Sequence, residues 1–251
     1  MPQKGLVGSR VAVDRLYALL PPEAVPASTL PEWAQTDVRI LTSPAMGAGF
    51  VQYQFDLGPT GGSSQVLAHN VQAFFYVQSG QVRFDTDGQK GRMLETGGFL
   101  YLPPGARFTA EAVVPSRILG IKKRYARYGD TESREVVGRE QDLPGEPFME
   151  MPELMLKKLL PEEQGFDMAM NIFTFAPGHG LPLTETHVME HGLIMLQGQG
   201  LYFLGADWRE VQQDDFIWMG PFCPQSFFAT GTTPARYLYY KNVNRDVDLG
   251  A

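Results

Sequence analysis

Cysteine is nearly absent from this sequence, and its scarcity sets the first limit. Cys223 is the only cysteine among 251 residues, so no disulfide can form within the chain. The opening residues, MPQKG, lack the apolar segment of a secretory signal. We therefore expect a cytoplasmic protein.

Long hydrophobic runs are also missing. A helix that crosses a bilayer needs about 18 or more mostly apolar residues. The apolar stretch over residues 193–204 is interrupted by Gln197-Gly198-Gln199-Gly200. The sequence thus predicts no membrane partner.

Basic residues are outnumbered by acidic ones, 21 against 28, which gives a formal net charge of −7. A negative surface disfavours binding to nucleic acid or to an anionic membrane. Because 43% of the residues are hydrophobic and only 20% are charged, the chain is expected to be globular. Its length fits two domains of ordinary size. A small molecule is the predicted partner.

Glycine and proline, 27 and 19 residues, separate many short runs rich in aromatic and β-branched side chains. This pattern predicts an all-β protein. Helical signals are confined to residues 16–20 and 161–164, and the second places a proline before acidic residues, as a helix N-terminus prefers. We expect each to form a single helical turn.

The two halves of the chain resemble each other at a shift of about 118 residues. Residues 74–82 align with residues 192–200, residues 98–104 align with residues 215–221, and Lys123 aligns with Lys241. A polar linker covers residues 128–146. The duplication predicts two tandem jelly-roll barrels, over residues 1–145 and 146–251.

A compact set of metal-ligand side chains lies in the second half. The chain reads Glu185-Thr186-His187-Val188-Met189-Glu190-His191, and Pro224-Gln225 follows about thirty residues later. One carboxylate, two imidazoles and an amide oxygen suit an octahedral divalent metal. A hydrogen-bonded polar cluster at a barrel mouth is the alternative.

Strand geometry supports the metal prediction. Glu185 and His187 lie two residues apart and would share one strand face, which His191 joins if the segment stays extended or folds as a hairpin. A helix would align His187 with His191 but leave Glu185 off that face. The first half offers no such set, because the aligned positions carry Leu67, His69, Ala73 and Phe108. We therefore expect a first barrel without metal, in which His69 is a structural or interface residue.

The order of strand, ligand hairpin, Gly-x-Gly turn and strand ending at proline resembles the cupin pattern, and the whole chain resembles a bicupin. It is more narrowly similar to the (S)-ureidoglycine aminohydrolases. The motifs that carry this similarity occupy residues 165–170, 185–187, 191–192, 198–202, 208 and 237–246.

This resemblance implies a set of roles. The metal would be Mn²⁺, although Fe²⁺, Ni²⁺ and Zn²⁺ also suit the donors. Substrate would contact Glu185, Tyr202, Tyr237 and Lys241, of which the last two lie on one face of a strand, and Glu185 and Lys241 would be catalytic. The implied reaction converts (S)-ureidoglycine and water to (S)-ureidoglycolate and ammonia, in a homo-oligomer. The implied metal ligands are Glu185, His187, His191 and Gln225.

Several residues receive plainer interpretations. His179 is expected in a loop, Glu190 in solvent, and Cys223 in a structural role, while Tyr239 and Tyr240 are interpreted as packing residues. A metal-dependent oxygenase and a non-enzymatic binding protein are the alternative functions. Oxygen consumption would distinguish the first, and a site that binds no metal and converts no ureide would distinguish the second.

Overall fold

The computed structural model describes residues 10–128, 130–243 and 246. Within these residues the chain forms strands and three short 3₁₀ helices, Pro22–Ala24, Pro44–Met46 and Glu140–Asp142, and no α-helix. No helix in this described part is long and apolar enough to cross a membrane. The strands are β1 Ala12–Val13, β2 Tyr17–Leu20, β3 Trp33–Thr42, β4 Phe50–Val66, β5 Val71–Ser79, β6 Gln81–Thr86, β7 Arg92–Glu95, β8 Gly98–Leu102, β9 Arg107–Ala112, β10 Ser116–Arg124, β11 Val136–Arg139, β12 Glu146–Phe148, β13 Met151–Lys158, β14 Met168–Phe175, β15 His191–Gln197, β16 Gln199–Leu204, β17 Asp207–Gln212, β18 Phe216–Met219, β19 Gln225–Ala229 and β20 Ala235–Asn242.

Strand pairing divides the chain into two barrels. The first contains β3 to β11, with the order β11-β8-β5-β10-β4-β9-β6-β7 and β3 beside β4. The second combines the eight-stranded sheet β1-β2-β18-β15-β20-β14-β13-β12 with the three-stranded sheet β17-β16-β19. The all-β bicupin prediction is confirmed, and equivalent hairpins turn at Gly80 and Gly198, which both adopt positive φ.

The chain leaves the sheet of the first barrel after β11 and enters a sheet of the second at β12, and a domain boundary at residue 145 stays a prediction. The N-terminal strands β1 and β2, however, extend the sheet of the second barrel through β18. The helical turn expected at residues 16–20 is therefore wrong, because Tyr17 and Leu19 pack into one core and Ala18 into another. A strand buried on both faces shows no helical period. Residues 161–164 form a bend and a turn rather than a helix.

A central core lies between the two barrels. It forms because side chains alternate between the two faces of each central strand. Phe74 and Tyr76 of β5 face this shared core, whereas Phe75 faces the interior of the first barrel. Leu238 of β20 also faces the shared core, and Tyr237 faces the interior of the second barrel. Both faces of the central strands are buried, which explains their nearly continuous apolar sequence.

The strand register shows that Lys122, and not Lys123, is the residue of the first barrel equivalent to Lys241. Lys241 pairs with Ala169 and His191, and the equivalent partners in the first barrel, Val51 and Ala73, pair with Lys122. The predicted alignment of Lys123 with Lys241 is thus wrong by one residue. Since side chains alternate between faces, that shift sends Lys123 out of its barrel.

Lys123 instead forms a buried ion pair across the barrel interface. Its Nζ lies 2.5 Å from Asp167 Oδ2, and the backbone N–H of Ala126 donates to the same oxygen at 2.8 Å. Gln72 donates to Asp167 Oδ1 and accepts from the Tyr101 hydroxyl. A buried charge whose partner is removed costs about 3–5 kcal/mol, so this pair strongly favours one docking of the barrels.

Candidate metal centre and its cavity

The predicted ligands lie where the two sheets of the second barrel meet. Glu185 forms an isolated bridge with Gln225, the first residue of β19, through two backbone hydrogen bonds of 2.8 and 2.9 Å. His191 is the first residue of β15. The loop between them holds His187 and is not helical, so the helical alternative is excluded.

Two imidazoles face each other at the centre of the site. The Nε2 atoms of His187 and His191 lie 3.2 Å apart. The Nδ1 atom of His187 faces the Met189 carbonyl oxygen at 3.1 Å, and that of His191 faces the Tyr240 carbonyl oxygen at 3.1 Å. Each Nδ1 therefore donates to its carbonyl oxygen, so Nε2 is the ring nitrogen that offers a lone pair when the ring is neutral.

That separation fits a shared metal ion. Two nitrogen ligands on adjacent corners of a metal centre, each about 2.1 Å from the ion, lie about 3 Å apart. Facing lone pairs repel each other, and a cation between them would turn that repulsion into two bonds. The donor atoms of the two histidines thus fit a divalent metal.

His191 is held in the neutral form that a metal requires. Burial, and secondarily the neighbouring His187, lowers the pKa of His191 to about 3. His191 is only 5% exposed, and its ring packs edge-on against Tyr239, with 5.6 Å between centroids. No proton therefore has to leave His191 when a metal binds at neutral pH.

Gln225 is the third member of this group, but its amide nitrogen, and not its amide oxygen, faces His187. Its Nε2 lies 3.2 Å from His187 Nε2 and donates to that lone pair, while the Tyr202 hydroxyl donates to Gln225 Oε1 at 3.4 Å. Binding a cation through the oxygen requires the amide to rotate. Gln225 is 4% exposed, so its amide must find partners within the site.

Glu185 lines the same cavity, but its carboxylate does not complete a close group of metal ligands. Among the described residues, no three His, Cys, Asp or Glu side chains gather closely enough to hold a metal ion. The structure thus joins His187, His191 and Gln225, and leaves the Glu185 carboxylate beside them. The Glu185 charge reaches the tyrosines, because it follows burial as a cause of the raised pKa of Tyr202.

The ligands open into a cavity of about 480 Å³. Tyr202, Tyr237 and Lys241 line it, as the resemblance implies. Burial raises the pKa of Tyr202 and, well above its usual range, that of Tyr237. Both phenols therefore remain protonated hydrogen-bond donors at neutral pH.

Tyr239 also lines the cavity, although it is expected to be a packing residue. Its hydroxyl accepts a hydrogen bond of 3.1 Å from Asn171 Nδ2, and Asn171 lines the cavity as well. The signal that identifies Tyr239 is its place between Tyr237 and Lys241, since all three share one face of β20. Tyr240 packs in the shared core, as expected.

The remaining histidines and Cys223 lie outside this cavity lining. His69 is exposed in the loop between β4 and β5, and His179 lies in a loop with its Nδ1 3.0 Å from the Pro177 carbonyl oxygen. Cys223 is 2% exposed in the core of the second barrel, and burial raises the pKa of its thiol. The matched residues Asn244 and Arg245 lie outside the described residues.

Glu190 corrects another expectation. The strand alternation that turns it away from the ligands predicts a solvated side chain, yet Glu190 is 5% exposed. Its carboxylate accepts hydrogen bonds from the backbone N–H of Gly49, at 2.9 Å to Oε2 and 3.2 Å to Oε1. The prediction failed because the far side of this segment packs against the first barrel instead of facing water.

Comparisons with known proteins agree with this architecture. The family model of the EutQ-like cupin domain matches residues 47–125, within the first barrel. The crystal structure of protein Ylba from E. coli, family-model DUF861, superposes with a TM-score of 0.86 at 35% identity, covering 97% of this chain and 98% of that one.

Two curated relatives extend over nearly the whole chain. The (S)-ureidoglycine aminohydrolase of Escherichia coli strain K12 is 36% identical over 237 residues, which cover 93% of this chain and 90% of the relative. The (S)-ureidoglycine aminohydrolase of Arabidopsis thaliana is 34% identical over 243 residues, which cover 95% and 79%. The chain therefore belongs to the (S)-ureidoglycine aminohydrolase family.

Proposed function

We propose that this protein converts (S)-ureidoglycine and water to (S)-ureidoglycolate and ammonia with Mn²⁺ as its cofactor. The observation that carries the proposal is the pair of Nε2 lone pairs at 3.2 Å, facing a cavity with phenols and a lysine, in a chain of this family. We also expect a cytoplasmic homo-oligomer, which light scattering and cell fractionation would test.

His187, His191, Gln225 and Glu185 would hold the metal. Their mixed nitrogen and oxygen donors, without a thiolate, suit Mn²⁺. Once bound, the ion would polarise the substrate and help to orient it.

Lys241 and the phenols would hold the substrate. The Lys241 ammonium group offers a charged donor to the substrate carboxylate, and such hydrogen bonds are among the strong ones. The neutral hydroxyls of Tyr202 and Tyr237 offer further donors to carboxylate or ureido oxygens. Donors from both sheets of the second barrel, around one cavity, would select one enantiomer by fixing the groups carried by the α-carbon.

Glu185 would transfer the proton. The α-carbon of (S)-ureidoglycine carries two nitrogens and loses its amine readily. In the overall step, the water oxygen forms a bond to this carbon, and the carbon–amine bond breaks. The Glu185 carboxylate takes a proton from water and returns one to the departing amine, which leaves as ammonia.

The test supplies the purified protein with Mn²⁺ and enzymatically generated (S)-ureidoglycine. We expect ammonia release well above the spontaneous rate, only (S)-ureidoglycolate as product, and loss of the acceleration after chelation. A racemic product, or a rate equal to the spontaneous one with Mn²⁺ bound, contradicts the proposal. Oxygen consumption coupled to substrate loss would favour the oxygenase alternative.

A further inference from the structure

We infer that the first barrel positions His191 and Lys241 through the contact between the backbone N–H of Gly49 and the carboxylate of Glu190. This inference rests on the proposed function, since it assigns a role toward the same metal and substrate site. Glu190 would be a positioning residue that touches neither substrate nor metal.

The contact carries a buried charge. Glu190 is 5% exposed, and both of its carboxylate oxygens lie within hydrogen-bonding distance of the Gly49 N–H. A buried carboxylate is tolerated only when donors satisfy it, and a bond to a charged acceptor is stronger than a neutral one. Gly49 of the first barrel therefore holds the Glu190 carboxylate in place.

Glu190 connects this contact to two residues of the site, His191 and Lys241. It directly precedes His191, and its own N–H donates to Asn242 Oδ1 at 2.7 Å. Asn242 directly follows Lys241, which is the cross-strand partner of His191. The same group of bonds thus fixes the beginning of β15 and the end of β20. Since residues 186–190 belong to no strand, no regular pairing on that side would hold His191.

Gly49 leaves no room for another side chain. A Cβ atom added there would lie 2.6 Å from Glu190 Oε1, too close for van der Waals contact. The φ of Gly49 lies outside the left-handed region, so alanine would act through space and not through backbone strain. Alanine at this position would displace the carboxylate without altering any site residue.

An equivalent contact at the related end of the interface indicates a built feature. Register equates Gly49, Glu190 and Asn242 with Asp167, Gln72 and Lys123. That second trio also meets across the barrels, through the Asp167 carboxylate. In both trios, a carboxylate of the second barrel accepts hydrogen bonds from N–H donors of the first barrel.

The experiment compares Gly49→Ala, Glu190→Ala and the double variant with wild type. Tyr76→Phe is the matched control, because it removes another hydrogen bond at the barrel interface, 2.7 Å from the Tyr76 hydroxyl to Glu140 Oε2. The full-length metal-free proteins are titrated with Mn²⁺ and followed by electron paramagnetic resonance. Amide exchange of residues 185–195 is measured without metal.

We expect about tenfold weaker Mn²⁺ binding for Gly49→Ala and Glu190→Ala, the low end of losses from altered supporting contacts. The double variant should be no weaker than Glu190→Ala, because both changes act through one contact. Tyr76→Phe should lose stability but keep wild-type Mn²⁺ affinity. Exchange of residues 185–195 should accelerate in the first three variants only.

Unchanged exchange and affinity in Gly49→Ala, or equal changes in Tyr76→Phe, would overturn the inference. Failure of the wild type to bind Mn²⁺ would count against the proposed function, whereas the exchange measurement would still decide whether Glu190 positions this segment. Should Glu190→Ala fail to fold, Gly49→Ala alone decides between the two outcomes, since it retains every polar group.

Discussion

The two barrels share a fold and even a lysine, but they differ in what lies around that lysine. Lys122 occupies the register position of Lys241, yet its Nζ donates to Gln65 Oε1 at 2.6 Å and burial lowers its pKa. In the first barrel, Leu67, Ala73 and Phe108 are buried in the core. In the second barrel, the corresponding region carries polar groups around a cavity. What fills the space opposite the lysine, and not the lysine itself, separates a scaffold from a candidate active site.

The largest expected effect comes from Glu185→Ala, which removes the proposed proton acceptor. We expect kcat to fall by at least about 10²–10⁴-fold, the usual contribution of general acid–base catalysis. Ammonia release measures it, with bound Mn²⁺ determined in the same sample. Retained turnover with metal bound would rule out proton transfer by Glu185.

Next in size is the loss of metal in His187→Ala. Removing one of two facing imidazoles should weaken Mn²⁺ binding by about 100-fold or more, because outer-shell changes alone cost 10–100-fold. His69→Ala is the matched control, since His69 is exposed in a loop of the first barrel. Equal affinities in the two variants would remove the distinction between the barrels. Isothermal titration with Mn²⁺ provides the measurement.

Lys241→Met and Lys122→Met compare the two register-equivalent lysines directly. A hydrogen bond to a charged group contributes about 1.5–3 kcal/mol, so Lys241→Met should raise KM about tenfold to 100-fold. Lys122→Met should leave KM unchanged, because Lys122 bonds Gln65 within the other barrel. Steady-state kinetics with (S)-ureidoglycine separate KM from kcat. A similar KM increase in both variants would assign no special role to Lys241.

The bicupin fold could be predicted from the sequence because the duplication, the glycine turns and the apolar strands are all visible there. The strand pairing of the structure follows these signals. The resemblance implied that Tyr202, Tyr237 and Lys241 contact substrate, and alternation put the last two on one strand face; all three line the cavity. Prediction from the sequence failed where tertiary packing decides. Glu190 lies on the far side of its segment, which proved to be covered by the first barrel.

Register and long-range pairing account for the other failures. A constant shift of about 118 residues cannot account for loops of unequal length, so it equates Lys123 with Lys241 in place of Lys122. For the same reason Gln65, and not Leu67, lies opposite Phe108, whereas Glu185 lies opposite Gln225. Residues 16–20 form a strand because they pair with β18, which lies about 200 residues away in the sequence. No local sequence pattern indicates such a distant partner.

The smallest expected effect is that of Tyr202→Phe. Its hydroxyl donates a long hydrogen bond of 3.4 Å to Gln225 Oε1, and removing one neutral hydrogen bond costs about 0.5–1.5 kcal/mol. We expect Mn²⁺ binding to weaken about threefold to tenfold, since the phenol oxygen can accept from the amide nitrogen once Gln225 has rotated its oxygen toward the ion, and phenylalanine cannot. Tyr53→Phe is a control from the first barrel, where Tyr53 packs against the core. If Tyr202→Phe leaves Mn²⁺ affinity unchanged but raises KM, the phenol contacts substrate and does not orient Gln225. The titration and the kinetics together therefore assign this hydroxyl to the metal side or to the substrate side of the cavity.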